Sequence, residues 1–181
     1  MVPKLSILCA GKAAAEARLL TIRVRRESEM NQDEKEFSQF LVTAKQRTYA
    51  GGTATQKGNR PNAHVIEFAE EELIYVDTYF GAFHFIGEEV VSQAERPVWG
   101  MNYYGKMLVD EIPEGFNQCL RQALLRVSRE APFRGPGLFH CGPFVYQCSW
   151  SGKLKGFEGY EIISQNGIDI YKLLFHGGEV A

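Results

Sequence analysis

The dipeptide Asn166-Gly167 constrains the fold of this chain more than any other feature of its sequence. Asn-Gly is typical of two-residue β-hairpin turns, because both central residues of a type I′ turn need a positive φ. The segments on either side, residues 153–164 and 168–175, alternate apolar and polar side chains with the period of a strand. The sequence therefore predicts an antiparallel hairpin centred on this turn.

Counting outward from the turn predicts the register of this hairpin. Gln165 lies opposite Ile168, and Glu161 lies opposite Lys172 as a cross-strand charge pair worth roughly 0.2–1 kcal/mol. The other face holds large side chains, so we expect that face to point toward the core. Its members are Tyr160, Ile162, Tyr171, Leu173 and Phe175.

The rest of the chain predicts an α+β fold. Two segments, residues 33–47 and 114–129, carry apolar side chains at helical spacing. Strands and helices alternate too rarely for a parallel βαβ sheet, so we expect a curved antiparallel sheet of hairpins with two main helices packed on it. Gly81-Ala82 is predicted to form a two-residue turn within it. The other strand-like segments are residues 64–69, 72–80, 83–93, 97–104 and 138–149.

The N-terminal segment differs in composition from the remainder. Residues 1–30 are alanine-rich and then basic, and we interpret them as an N-terminal extension. Residues 31–181 have the length and pattern of a single α+β domain. Met30 stands just before the first clear helical pattern, so an alternative translation start at that residue is left open.

Composition excludes several function classes. The formal net charge of −2 provides no broad attraction to nucleic acid or anionic membrane, and no apolar run reaches the length of a membrane span. The four cysteines form no Cys-x-x-Cys pair, which in a chain of this length indicates free thiols in a reducing, cytoplasmic compartment. The four histidines lack zinc-ligand spacing and no phosphate-binding loop is present, so we expect no metal and no cofactor.

One predicted strand carries the strongest candidate site. Tyr75, Asp77 and Tyr79 share one face at strand spacing. A two-residue turn at Gly81-Ala82 would place Glu88 opposite Tyr75 and Ile86 opposite Asp77, so this face would also carry a second carboxylate. Such a mixture suits the wall of a pocket. The alternative is a half-exposed face whose tyrosine hydroxyls reach water.

Two further segments contribute candidates. Trp99 and Tyr103 share a face for which core packing is the favoured interpretation, and Asn102 alternates with them and needs hydrogen-bond partners or solvent. Arg134 follows the second predicted helix, where it would form a structural salt bridge or bind an anionic ligand. The candidate ligand-binding residues are therefore Tyr75, Asp77, Tyr79, Glu88, Trp99, Asn102, Tyr103 and Arg134.

The order of these motifs resembles that of a bacterial family described as a domain of unknown function. The resemblance spans roughly residues 36–181. It implies a sensor or interaction role by analogy, because similar domains occur alone or behind helix-turn-helix domains of the xenobiotic-response type. It implies no catalytic residue, and residues 1–30 are too short to be such a helix-turn-helix domain. The residues that carry the resemblance are Thr48-Tyr49-Ala50-Gly51-Gly52, Arg60-Pro61, Tyr75-x-Asp77-Thr78-Tyr79-x-Gly81, Phe85-x-Gly87-x-Glu89, Pro97-Val98-Trp99-x-Met101-Asn102-Tyr103-x-Gly105, Phe133-Arg134-Gly135-Pro136, Phe157-x-Gly159-x-Glu161 and Phe175-His176-Gly177-Gly178.

Three functions follow as hypotheses. The first is a cytoplasmic domain that binds a small molecule or has a regulatory role. The second is a small enzyme that uses Asp77, Glu88 or Glu158 for acid–base chemistry, which requires two carboxylates to converge in one concave site. The third is a protein interaction module, for example a homodimer, which requires one contiguous exposed apolar patch.

Overall fold

The computed structural model describes residues 32–180. The chain divides into two compact units, Met1–Phe37 and Ser38–Ala181. Of the first unit, the described part is residues 32–37, which are helical. The predicted extension and the alternative start at Met30 lie outside the described residues, so the division after residue 30 stays a prediction.

Two α-helices occur within the described residues, and both carry the predicted apolar face. Helix α1 comprises residues 32–47 and buries Phe40, Leu41 and Ala44. Helix α2, Phe116–Leu124, follows Gly115, whose φ of 83° lies in the left-handed region that glycine adopts without strain. Helix α2 begins and ends inside the predicted range. Neither of these helices is long and apolar enough to cross a membrane.

The described strands form a single antiparallel sheet of nine, as the hairpin signals predict. Its order is β1-β2-β3-β4-β5-β9-β8-β7-β6. Two runs of consecutive hairpins, β1 to β5 and β6 to β9, therefore join along the pairing of β5 with β9. The α+β antiparallel fold is confirmed, whereas the curvature stays a prediction. The strands are β1 Gln56–Lys57, β2 His64–Glu70, β3 Leu73–Gly81, β4 His84–Gln93, β5 Arg96–Met107, β6 Leu138–Cys141, β7 Phe144–Lys153, β8 Gly156–Gln165 and β9 Ile168–Glu179.

The predicted register of the β3–β4 hairpin is wrong. Gly81 pairs with Phe85, so three residues rather than two separate the last paired positions, and Asp77 lies opposite Glu89 instead of Ile86. The register therefore differs by three residues. Because an odd shift exchanges the two faces of a strand, Glu89 points to the core side and Glu88 to the opposite side.

The predicted register of the β8–β9 hairpin holds only next to its turn. Gln165 pairs with Ile168 as expected, but an irregularity between Ile163 and Ser164 shifts the rest. Glu161 consequently lies opposite Leu173, and Ile162 lies opposite Lys172. The predicted cross-strand charge pair is therefore wrong, because a β-bulge inserts one extra residue and changes which side chains share a face.

The bulge also changes the core side of β8. Glu161 and Ile163 are buried, whereas Tyr160 is 42% exposed and points away from the core. On β9 the predicted core residues Tyr171, Leu173 and Phe175 are buried as expected. The core thus includes a carboxylate where an exposed charge was predicted.

Close backbone approach at Gly177 yields a test of this architecture. A Cβ at Gly177 would meet the Gly100 carbonyl oxygen on one side and would lie 2.8 Å from Met101 Cα and from the Phe157 ring. Gly177→Ala is therefore expected to lower the free energy of unfolding by about 1–3 kcal/mol, since backbone atoms must move. The measurement is urea denaturation of both proteins.

Gly156→Ala is the matched control. Gly156 lies on β8 with no described heavy atom within 4 Å of an added Cβ. Replacing glycine by alanine there should leave the free energy of unfolding unchanged or raise it by about 0.5 kcal/mol, because the unfolded chain loses conformational freedom. Equal effects of the two substitutions would contradict the packing of β9 between β5 and β8.

Candidate functional site

A cavity of about 310 Å³ lies between the core side of the sheet and the helices. Strands β2, β3, β4, β5 and β9 contribute residues to one wall, and α1, α2 and the neighbouring loops, including the loop that contains Arg134, contribute the remainder. Exposed residues at its rim show where it opens to solvent. These rim residues are His64, Ala82, Ile112 and Asn117.

Two carboxylates face each other inside this cavity. Asp77 and Glu89 are directly opposite on β3 and β4, with only 5% and 3% of their surface exposed. Tyr103 donates a hydrogen bond to Asp77 Oδ1 over 2.6 Å. Lys45 extends from α1 and forms a buried ion pair with Glu89 Oε2. The pairing of β3, β4 and β5 thus brings Asp77, Glu89 and Tyr103 together, and α1 adds Lys45.

Burial shifts the pKa values of Asp77 and Lys45. It raises the pKa of Asp77 to about 7, with the nearby Glu89 charge adding to the effect, while the Tyr103 hydrogen bond and the charges of Lys45 and Arg134 oppose it. Burial also lowers the pKa of Lys45, against the attraction of Glu89. Asp77 is therefore poised to exchange a proton near neutral pH.

A second carboxylate cluster adjoins the cavity and holds its arginine. Glu161 on β8 has no exposed surface and accepts two hydrogen bonds from Arg134, Nε at 3.0 Å and Nη2 at 2.7 Å. The hydroxyls of Tyr146 and Tyr171 donate to the same carboxylate at 2.7 and 2.8 Å. Tyr146 in turn accepts a hydrogen bond from the Gly135 backbone N–H at 2.9 Å.

This second cluster remains charged. Burial by itself would raise the pKa of Glu161, but Arg134 and the two tyrosine hydroxyls outweigh burial and lower it. Two hydrogen bonds from the guanidinium to this carboxylate hold the Arg134 side chain in the cavity wall. The guanidinium carbon of Arg134 lies 5.6 Å from the centre of the Tyr103 ring, which brings the two clusters into contact.

Five of the eight residues predicted from the sequence line the cavity: Tyr75, Asp77, Tyr79, Tyr103 and Arg134. Their role as ligand contacts stays a prediction. Arg134 forms a bidentate salt bridge with Glu161, which is one of its two predicted roles, and contact with an anionic ligand stays a prediction.

The other three predicted residues lie elsewhere. Glu88 is on the opposite side of β4 and forms an exposed ion pair with Arg60 at 2.7 Å. Trp99 is buried in the core, where its indole N–H donates to the Leu154 carbonyl at 3.2 Å. Asn102 is exposed and pairs with Glu88 on one side of β5.

Five residues of the two clusters were not among the predicted site residues: Lys45, Glu89, Tyr146, Glu161 and Tyr171. Lys45 follows Leu41 at i+4 on the apolar face of α1, which was the available signal for its burial. Glu89 required the correct turn length, and Glu161 required knowledge of the bulge. Turn length and bulge are not marked by residue type, but both glutamates stand in the motifs that carry the family resemblance, which was the available signal. Glu158, the third carboxylate of the enzyme hypothesis, is exposed and does not line the cavity.

Comparisons with known proteins identify a family for most of this site. The family described as Domain of unknown function (DUF5680) matches residues 77–180, more than half of the 181 residues. That match begins at Asp77 and includes Glu89, Arg134 and Glu161, but not Lys45. No curated protein and no solved structure matches the chain.

Removing the buried charge of Glu161 should destabilise the protein far more than removing an exposed charge from the same strand. Glu161→Gln leaves Arg134 buried without its counter-charge, so the free energy of unfolding should fall by about 3–5 kcal/mol in urea denaturation. Glu158→Gln, an exposed change on the same strand, should alter it by less than about 0.5 kcal/mol. A loss below about 1 kcal/mol for Glu161→Gln would refute a charged, fully occupied carboxylate.

Asp77 predicts a pH dependence of stability with a defined sign. Its pKa of about 7 in the folded protein exceeds the ordinary 3.8, so the folded state binds this proton more tightly. The resulting stability is complete below about pH 4 and is lost as the pH rises through about 7. We expect the free energy of unfolding of the wild type, minus that of Asp77→Asn, to fall by about 1.4 kcal/mol per pH unit in this window.

The control for this measurement is Glu67→Gln. Glu67 is an exposed carboxylate on β2, and its removal, measured between about pH 5 and 7, should change the free energy of unfolding by less than about 0.5 kcal/mol, as is usual for exposed substitutions. A difference for Asp77→Asn that stays flat or rises over the same window would contradict a carboxyl held neutral by burial.

Proposed function

This chain belongs to the family described as Domain of unknown function (DUF5680), and we propose that it binds a small molecule in the cavity between Asp77, Tyr103 and Arg134. The observation that carries this proposal is the buried ionic group that faces the cavity. Each buried ion costs several kcal/mol in lost hydration. Burial, apolar walls and a few convergent polar groups with perturbed pKa values are the features of ligand sites.

A regulatory role for that binding is the further part of this proposal. It is supported by the resemblance to domains found behind helix-turn-helix domains, which is an argument by analogy. The bacterial origin and the association with helix-turn-helix domains stay predictions. A cytoplasmic location belongs to the same proposal. It is supported by the free thiols of Cys119, Cys141 and Cys148.

Acid–base catalysis is the second candidate function. The specific observation in its favour is the convergence of Asp77 and Glu89 in one cavity, where Asp77 has a pKa of about 7. A general acid or base works best with a pKa near the working pH. This version of the hypothesis replaces Glu88 and Glu158, which lie outside the cavity.

A protein interaction module is the third candidate. Supporting it is a cross-strand row of exposed large side chains on the side of the sheet opposite to the cavity. Contiguous apolar surface of this kind is typical of protein contacts. The row consists of Ile86, Tyr104, Leu174 and Tyr160. A homodimer through this face is the corresponding partner hypothesis.

Native mass spectrometry of the protein purified from its own host tests these functions. We expect the wild type to retain a small molecule that is released on denaturation. Ala82→Trp should abolish retention, because it adds a large side chain at the exposed rim without disturbing the core. Ala69→Trp, at an exposed position of β2 outside the cavity, should leave retention unchanged.

The other outcomes separate the alternatives. Equal retention by Ala82→Trp would place the bound molecule outside this cavity. A bare monomer would count against the binding function, and a bare dimer would favour the interaction module. Conversion of the retained molecule during incubation, lost in Asp77→Asn, would favour the enzyme.

A further inference from the structure

We infer that the ligand of this cavity is an organic cation, an ammonium group attached to an apolar body. This inference rests on the proposed binding function and specifies its chemical class. It follows from the charges in the wall of the cavity, from the rings that line it and from the partners that those charges already have.

When Asp77 is ionised, the buried charges of the site do not balance. Lys45 is paired with Glu89, and Arg134 is paired with Glu161. Asp77 is the carboxylate without a counter-charge. Within residues 32–180, no lysine, arginine or histidine lies within ion-pair distance of it, and its hydrogen-bond donor is the uncharged Tyr103 hydroxyl. One positive charge placed beside Asp77 would make the group neutral.

The attraction between a cation and the Asp77 carboxylate is stronger here than in water. Asp77 is 95% buried, and charge attraction is strong where water is excluded. An ammonium N–H donates a charge-assisted hydrogen bond to a carboxylate, which is roughly twice as strong as a bond between neutral groups. An anion would instead add to the excess negative charge, and the two basic side chains that would receive it are already engaged by Glu89 and Glu161.

The lining of the cavity also favours a cation with apolar groups. Eight phenylalanine and tyrosine rings line it, and ring faces attract ammonium groups within about 6 Å. The protein's own cations already use this attraction, with Lys45 Nζ at 5.9 Å from the centre of the Tyr75 ring. The eight rings are Tyr49, Tyr75, Tyr79, Phe85, Tyr103, Phe116, Phe133 and Tyr171.

A metal ion fits this site less well than an organic cation. Calcium and magnesium take six or more oxygen ligands, several of them from carboxylates. Within the described part of the chain, no group of three or more histidine, cysteine or acidic residues is placed to hold a metal ion. The apolar and aromatic lining provides surface for carbon atoms instead.

Binding of such a cation depends on the ionisation of Asp77. Burial, Glu89, Tyr103, Lys45 and Arg134 together set the pKa of Asp77 at about 7. Tyr75 and Tyr79 on the same strand are the other titratable groups in electrostatic contact with Asp77. An ammonium needs the carboxylate form, so its affinity should rise as the pH increases toward 8. Below the pKa, the ionised fraction falls about tenfold per pH unit.

Three isosteric probes test the charge preference directly. Cyclohexylmethylamine, cyclohexylmethanol and cyclohexanecarboxylate have a similar apolar body and differ in charge. Their dissociation constants are measured by NMR titration of the full chain at about pH 8 and about pH 5.5. We expect the amine to bind at least about tenfold more tightly than the alcohol at the higher pH, the value of one charge-assisted hydrogen bond.

Asp77→Asn supplies the decisive comparison. The asparagine resembles the neutral acid that burial favours, so this variant is expected to fold, which the urea measurement above verifies. In it the preference for the amine over the alcohol should disappear, while the affinity for the alcohol persists. Glu67→Gln, which removes an exposed carboxylate from β2, should retain the full preference of the wild type.

The outcomes distinguish the inference from the proposed function. Binding of the alcohol or the carboxylate as tightly as the amine would overturn the cationic class while the binding function stands. Failure of all three probes to bind would overturn both for ligands of this size. A preference for the amine that survives in Asp77→Asn would remove Asp77 as the recognising group and overturn the inference.

Discussion

The rest of this structure depends on the hydrogen bonds and the ion pair that satisfy the buried carboxylate of Glu161. A charge with no exposed surface persists only when every oxygen is satisfied. Tyr146 from β7, Tyr171 from β9 and Arg134 from the loop after α2 all donate to it. Three strands and one loop are thereby joined at a single point, so the position of Arg134 in the cavity wall follows from the chemistry of Glu161.

Asp77 shows what happens when the same kind of group lacks a counter-charge. Both carboxylates are buried on the core side of one sheet, yet the pKa of Glu161 is lowered and that of Asp77 is raised to about 7. The difference lies in their partners. Glu161 has a bidentate guanidinium, whereas Asp77 has one phenolic hydroxyl and the like charge of Glu89 beside it. The site thus combines a charged carboxylate that is fully occupied by donors with a second carboxylate whose pKa lies near neutral pH.

Strand pairing explains why these residues meet. Asp77 and Glu89 converge because their strands are neighbours, and Tyr103 reaches Asp77 because β5 pairs with the other side of β4. Lys45 comes from α1, which carries its charge into the core side on an otherwise apolar helix face. A cavity assembled from five strands, two helices and several loops is sensitive to the register of every hairpin that forms it.

The sequence by itself determined the class of this fold, the two amphipathic helices, the turn at Asn166-Gly167 and the set of Tyr75, Asp77 and Tyr79 on one strand face. Those features depend on local periodicity and turn chemistry, which are determined by residues close together in the sequence. Only the tertiary structure decided that Glu89 rather than Glu88 faces Asp77, and that Glu161 is buried rather than paired with Lys172. The physical reason is that turn length and β-bulges set register, an odd shift exchanges the faces of a strand, and the choice depends on packing between residues far apart in the chain.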